Sequence, residues 1–295
     1  MDSRITIPDE IQASPNDVVV FVGAGISRIL KYPSWHDLSS LLMDSLIAKG
    51  NMGFSKKKLI NLINDPRQKL SIAYEIAKND PELDEVQLFN EIFTKADEKC
   101  KKSDKKQILD YIKKIGSAFI TTNYDRLLDF EGAENEHDPE KFEVSFLKNK
   151  NTIHLHGSIE NQENMLITTG HYLKRYQMDN VQEFLQNLFK EKIVLFIGYG
   201  MAEYEVLEYA LFKGDASKGS EIRRFVIQGY YDFESTIEDY WKKYYFETYG
   251  VKLLTFSLDR AEYDIQVDIL KEWAEKLNPT PTEISSGENT TEVRS

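Results

Sequence analysis

Short apolar runs, each closed by glycine or a small polar cluster, alternate in this chain with longer stretches whose apolar positions recur every three or four residues. The first run, DVVVFVGAGIS, predicts a buried strand from Val18 to Val22 that is broken by Gly23 and Gly25, with a helix after the turn. Over residues 38–115 the spacing is helical, in DLSSLLMDSLIAKG, KKLINLI, KLSIAYEIAK, EVQLFNEIF and KKQILDYIKKI, which predicts a helical insertion. Strand-like runs then return: SAFITTNYD, NTIHLHGSI, EKIVLFIGYG, RRFVIQGY and GVKLLTFSL. Helices are expected near residues 181–190, 203–212, 234–245 and 261–276. Strands alternating with helices predict an α/β fold, a Rossmann-like parallel sheet with helices on both faces. The expected organisation is one domain over residues 1–278 with the insertion at about 38–115. Residues 279–295, rich in Pro, Ser, Thr and Glu, read as a mobile tail.

Composition narrows the function classes. With 41% hydrophobic residues in 295, the chain has enough apolar material for a well-buried core. Its 37 Lys and Arg against 49 Asp and Glu give a net charge of -12, which opposes nonspecific adhesion to nucleic acid or anionic lipid, so no direct nucleic-acid contact is expected. No apolar run approaches the roughly 20 residues of a membrane span, and the N-terminus lacks a secretory pattern, so a cytoplasmic protein is expected. Cys100 is the single cysteine and lies in the charged stretch DEKCKKSDKK, so it reads as an incidental surface thiol.

The chemistry-bearing residues follow the strands, where loops of an open parallel sheet gather ligands. Gly23, Ala24, Gly25 and Ser27 form a turn where glycine lets the backbone approach a phosphate, although the same GxG occurs in tight turns without ligands. Arg28 stands where the dehydrogenase fingerprint has its third glycine, which disfavours hydride transfer. Thr121, Thr122, Asn123 and Asp125 supply donors and acceptors suited to ribose hydroxyls, a carboxamide or a positioned water. Asp125 equally suits a helix N-cap. At His154-Leu155-His156-Gly157, His156 at the strand end is the candidate base, and His154 is expected to pack within the sheet. Gly198, Tyr199 and Gly200 form a second glycine turn that admits a base or ribose, or serves only as a strand-to-helix turn.

Taken in order, GAGIS, TTNYD, LHGSI and FIGYG resemble the sirtuin catalytic core over residues 18–228. That resemblance implies NAD as substrate, with its diphosphate at Gly23, Ala24, Gly25 and Ser27. It further implies Asn123 ordering the ribose or water, Asp125 holding the nicotinamide amide, His156 as catalytic base and Gly198 near the adenine-side ribose. Departures are informative: KYPSWHDL replaces the deacylase GIPDFR sequence, Thr122 replaces the family glutamine, and Tyr199-Gly200 replaces Thr-Ser. One cysteine cannot build the paired CxxC zinc module of deacylating sirtuins, so no zinc is expected. This combination is similar to the NAD-depleting effectors of bacterial anti-phage defence. The implied activity is an NAD hydrolase releasing nicotinamide and ADP-ribose. The implied assembly is a homo-oligomer controlled by a separate regulatory protein such as a helicase-like ATPase. Trp35 is expected either to cover the nicotinamide end or to anchor the helix beginning near Asp37. Two other classes stay open: an NAD or ADP-ribose sensor without turnover, and a zinc-free deacylase or ADP-ribosyltransferase.

Overall fold

In the computed structural model, residues 5–50, 52–80, 84–200, 223–259 and 263–279 are described. The expected helix at 203–212 and most of the expected tail lie outside them. After α1 (Asp9–Ala13) come β1 (Val18–Val22) and α2 (Ala24–Ile29). Five helices follow: α3 (Trp35–Ala48), α4 (Phe54–Asn61), α5 (Pro66–Lys78), α6 (Glu85–Lys101) and α7 (Ile108–Ile115). The sheet resumes with β2 (Ala118–Thr121), β3 (Asn135–Glu136) and β4 (Thr152–His154), then α8 (Thr169–Tyr176), α9 (Asp179–Glu191) and β5 (Ile193–Ile197). It closes with β6 (Arg224–Tyr230), α10 (Ser235–Tyr249), β7 (Lys252–Ser257) and α11 (Asp264–Leu277).

Among the described residues, seven strands pair in parallel, in the order β3-β4-β2-β1-β5-β6-β7. Without the two-residue edge strand β3, this is the doubly wound order of dinucleotide-binding sheets, and its direction reverses between β1 and β5. Strand alternation divides the core into two layers. Val18, Val20 and Val22 pack with Leu42 of α3, Leu70 of α5, Ile112 of α7 and Leu270 of α11. Val19 and Phe21 face Tyr172 of α8, Leu185 and Leu188 of α9 and Tyr249 of α10. The insertion therefore covers one face, while α8, α9 and α10 cover the other. A fully buried strand needs apolar residues at every position, which is why the runs are continuous rather than alternating.

Several local expectations change. The insertion begins at Trp35 because Ser34 caps α3: its Oγ accepts from Asp37 N at 3.1 Å, and its own N–H donates to the Asp37 carboxylate at 3.0 Å. No helix follows Asp125; it caps a turn, accepting from Leu127 N at 3.2 Å. Cys100 is buried rather than surface, because Leu88, Phe89, Ile92, Phe93, Ala96 and Cys100 share the apolar stripe of α6 while the lysines point outward. That burial raises the thiol pKa. Among the described residues, no helix is long and apolar enough to cross a membrane.

Candidate functional site

The turns after β1 and β5 meet at the reversal point, and they meet closely. A side chain on Gly23 would lie 2.7 Å from the Gly198 carbonyl oxygen, and one on Gly25 would lie 2.7 Å from Gly198 Cα. Gly198 itself adopts φ 62°, the left-handed region that favours glycine. Gly23 N donates to Ile197 O at 3.0 Å and Gly25 N to Gly198 O at 2.8 Å. These glycines are thus required by turn-to-turn packing, and two of the N–H groups expected to face a phosphate are committed to the neighbouring turn.

Beside this junction opens a cleft of about 560 Å³, within the roughly 300–1,000 Å³ range of small-molecule sites. Ala24, Gly25, Trp35, Thr122, Gly198 and Tyr199 line it, together with residues the sequence reading did not single out: Arg28, Arg67, Gln228 and Gln266. Arg67 arrives at the start of α5, where Asp65 caps the helix by accepting from Arg67 N at 2.9 Å. Arg28 and Arg67 bring positive charge to this wall, partly offset by the Asp65 carboxylate that lines it too, in an otherwise acidic chain. Tyr199 is buried against Phe21 and Phe196, with ring centroids at 5.2 and 5.4 Å.

Ala24, Trp35 and Thr122 also line a smaller recess of about 30 Å³, shared with Ser27, Asn123 and Asp125. Here a buried polar chain forms: Asn123 Nδ2 donates to Ser27 Oγ at 2.8 Å, and Ser27 Oγ donates to Asp125 Oδ2 at 2.6 Å. Asn123 is further fixed through its backbone, whose N–H donates to Thr121 Oγ1 at 3.0 Å, while Thr121 Oγ1 donates to Val22 O. Burial pushes the Asp125 carboxyl pKa up, opposed by the hydrogen bonds from Ser27 and Leu127. The site thus brings Ser27, Asn123 and Asp125 together from two strand ends that are 96 or more residues apart in sequence.

The histidines separate. His154 is the last residue of β4 and packs within the sheet, its Nε2 2.8 Å from Asp129 Oδ1 and its ring stacked on His137 at 4.5 Å. The strand ends there, so His156 sits in the following turn, made possible by Gly157 at φ 74° with the Asn164 backbone against it. His156 is fully buried and lines neither the cleft nor the recess. Its Nε2 is 2.6 Å from Tyr176 Oη, and Tyr172 stands edge-on at 5.0 Å. Burial above all, then the charges of Arg175 and Arg67, hold its pKa well below the usual value, so the imidazole is neutral. Arg175 is itself buried, donating to Leu155 O at 2.5 Å and Asn164 O at 3.0 Å.

Trp35 lines the cleft and the recess and stands edge-on to Tyr124 at 5.2 Å and Tyr172 at 6.3 Å. Tyr172, Arg175 and Tyr176 escaped the sequence reading because α8 did; their spacing of three and four residues after Thr168-Thr169 was the available signal.

Residues 117–253 match the family model described as SIR2-like domain, a span holding TTNYD, LHGSI and FIGYG. The GAGIS turn precedes that span and joins it through β1, paired between β2 and β5. The match and the doubly wound sheet together support a sirtuin-like chain with NAD-related activity in general.

Proposed function

We propose that the chain is an NAD hydrolase: NAD lies in the cleft at the sheet reversal with its nicotinamide ribose toward Asn123, and water replaces nicotinamide. The observation that carries this reading is the buried Ser27, Asn123, Asp125 chain beside a cleft of small-molecule size. Arg28 and Arg67 suit the substrate's diphosphate, and Asn123 and Asp125 offer the polar atoms that a ribose hydroxyl and a carboxamide need. In the reaction the bond from ribose C1′ to nicotinamide nitrogen breaks, its electron pair leaving with nicotinamide. A water oxygen bonds to C1′, and the water's proton passes to the neutral His156 as base and then to solvent. The products are nicotinamide, ADP-ribose and a proton.

His156 lies behind Thr122 and the α8 tyrosines, so turnover in this reading requires Trp35 or α8 to shift. The same enclosure favours a rival, an NAD sensor that binds without turnover. Consistent with either, activity would be held in check until an assembly of copies or a regulatory partner, such as a helicase-like ATPase in anti-phage defence, releases it.

Nicotinamide and ADP-ribose release from NAD, measured for the wild type, Asn123→Ala and His156→Ala with and without candidate partners, separates the two. Release abolished by both substitutions supports hydrolysis. Binding without release in every condition supports the sensor.

A further inference from the structure

The wall of the cleft formed by β6 and α11 carries a polar group that folding leaves unused. Gln266 lies on the inward stripe of α11, four residues before Leu270 and seven before Trp273, where an apolar side chain would serve the core. It is 2% exposed and lines the cleft, and among the described residues its side-chain amide has no hydrogen-bond partner. Leaving a buried amide unpaired is costly, so one that faces a cavity is placed for a ligand to complete it. Ile227, Gln228 and Gly229 at the end of β6 and Tyr263 before α11 form the rest of this wall. Gln228 Nε2 donates to Gly229 O at 3.1 Å, whereas both ends of the Gln266 amide are uncommitted.

Strand order says which part of a dinucleotide reaches this wall. In the sequence β2-β1-β5-β6, three strand spacings of about 4.8 Å separate the ends of β2 and β6, about 14 Å in all. A dinucleotide with its nicotinamide ribose toward Asn123, after β2, crosses the β1 and β5 turns with its diphosphate. Its other nucleoside then meets the β6 and α11 wall. We propose that Gln266 reads the adenine base of the substrate, its carbonyl accepting from the 6-amino group and its N–H donating to a neighbouring ring nitrogen. The inference rests on NAD occupying the cleft, as the hydrolase reading has it. It adds a specificity-determining residue beyond residue 253, where the match to the family model ends.

The test compares ADP-ribose with its analogue in which purine, lacking the 6-amino group, replaces adenine, both titrated by calorimetry. Wild type is expected to bind ADP-ribose about tenfold more tightly than the analogue. Gln266→Leu should weaken ADP-ribose about tenfold and the analogue little, erasing the preference. A preference that survives in Gln266→Leu overturns the proposal. So does equal weakening of both compounds, which a contact to the ribose hydroxyls would give. Leucine suits the apolar stripe, so ligand-free Gln266→Leu should melt at or above the wild-type temperature. A marked fall would show that the amide serves folding, and would overturn the proposal too.

None of these readouts needs turnover. Lack of nicotinamide release with these affinities intact refutes hydrolysis and leaves the base contact standing, whereas no binding of either compound to wild type overturns the contact. Where NAD is turned over, its KM in Gln266→Leu should rise about tenfold. An unchanged KM overturns the contact.

Discussion

Replacing Ser27 with alanine isolates the polar chain at the heart of the site. One hydroxyl donates to Asp125 and accepts from Asn123, and all three residues are buried. Removing it leaves an amide N–H and a carboxylate oxygen each short of a partner where water replaces them poorly. A buried polar atom left unsatisfied costs about 1–3 kcal/mol, so Ser27→Ala should lose about 2–4 kcal/mol of folding stability. Asn123, freed of its side-chain anchor, should drift from its working position, lowering kcat/KM for nicotinamide release by about 10- to 100-fold.

The loss should also depend on pH. The Asp125 pKa already lies above its ordinary value through burial, and the Ser27 O–H bond favours the charged form. Without that bond the folded-state pKa rises further above the unfolded one. The folded state then retains its proton more tightly, so stability is greatest with Asp125 protonated and declines as pH climbs through the folded value. Ser27→Ala should accordingly cost more at pH 8 than at pH 5, as read by urea unfolding followed through tryptophan fluorescence. A loss under about 0.5 kcal/mol, typical of an inconsequential surface change, would refute the reasoning. So would an equal loss at both pH values.

Other sites give sharper yes-or-no outcomes. Gly23→Ala forces a methyl to 2.7 Å from Gly198 O and should cost about 3 kcal/mol or prevent folding, whereas Gly200→Ala, with nothing within 4 Å of the added carbon, should leave the melting temperature unchanged. His156 is held neutral, its folded pKa depressed, so its contribution to stability is present above about pH 6.5 and falls by about 1.4 kcal/mol per unit below it. His156→Gln should unfold with a flatter acid limb, and parallel wild-type and variant curves would contradict this. NAD at a hundred times its dissociation constant should stabilise the chain by about 2.7 kcal/mol. Asn123→Ala should keep most of that thermal shift while losing release, because the cleft wall beyond the recess is intact; loss of both would move Asn123 from chemistry to binding.

The central strands were the most legible because a parallel strand covered on both faces must be almost wholly apolar, a demand that VVVFV and IVLFI state openly, while β4, β6 and β7 showed through shorter apolar runs such as RFVI and KLL. β3 was illegible for the opposite reason: Asn135 and Glu136 form a polar edge defined only by pairing to Thr152 and Ile153. α8 hid because Gly170 weakens its first turn and Leu173 points to solvent, leaving Tyr172 and Tyr176 as its chief inward residues. Cys100 was misread because its charged neighbours hid a stripe that only the three- and four-residue spacing reveals. The polar chain was legible residue by residue but not as a chain, since nothing local joins Ser27 to Asn123 and Asp125; strand order does.

The glycine motifs show why a signature and a mechanism are different kinds of statement. Gly23, Gly25 and Gly198 are fully accounted for by the contact between two turns, so their presence alone carries no information about phosphate. What the contact accomplishes is geometric. Locking the β1 turn onto the β5 turn fixes both rims of the reversal point, holds Ser27 one helical turn from Gly23 against Asn123, and leaves the cleft open between Trp35 and Tyr199. Discrimination among ligands then falls to side chains that folding does not need in those places. Arg28 is exposed on a short helix, and Arg67 is delivered by an insertion that a minimal doubly wound sheet lacks. In the proposed reading, the substrate's charge is therefore matched from outside the glycine contact, by Arg28 and by Arg67 of α5, whereas the motif itself supplies the rigid frame against which they act.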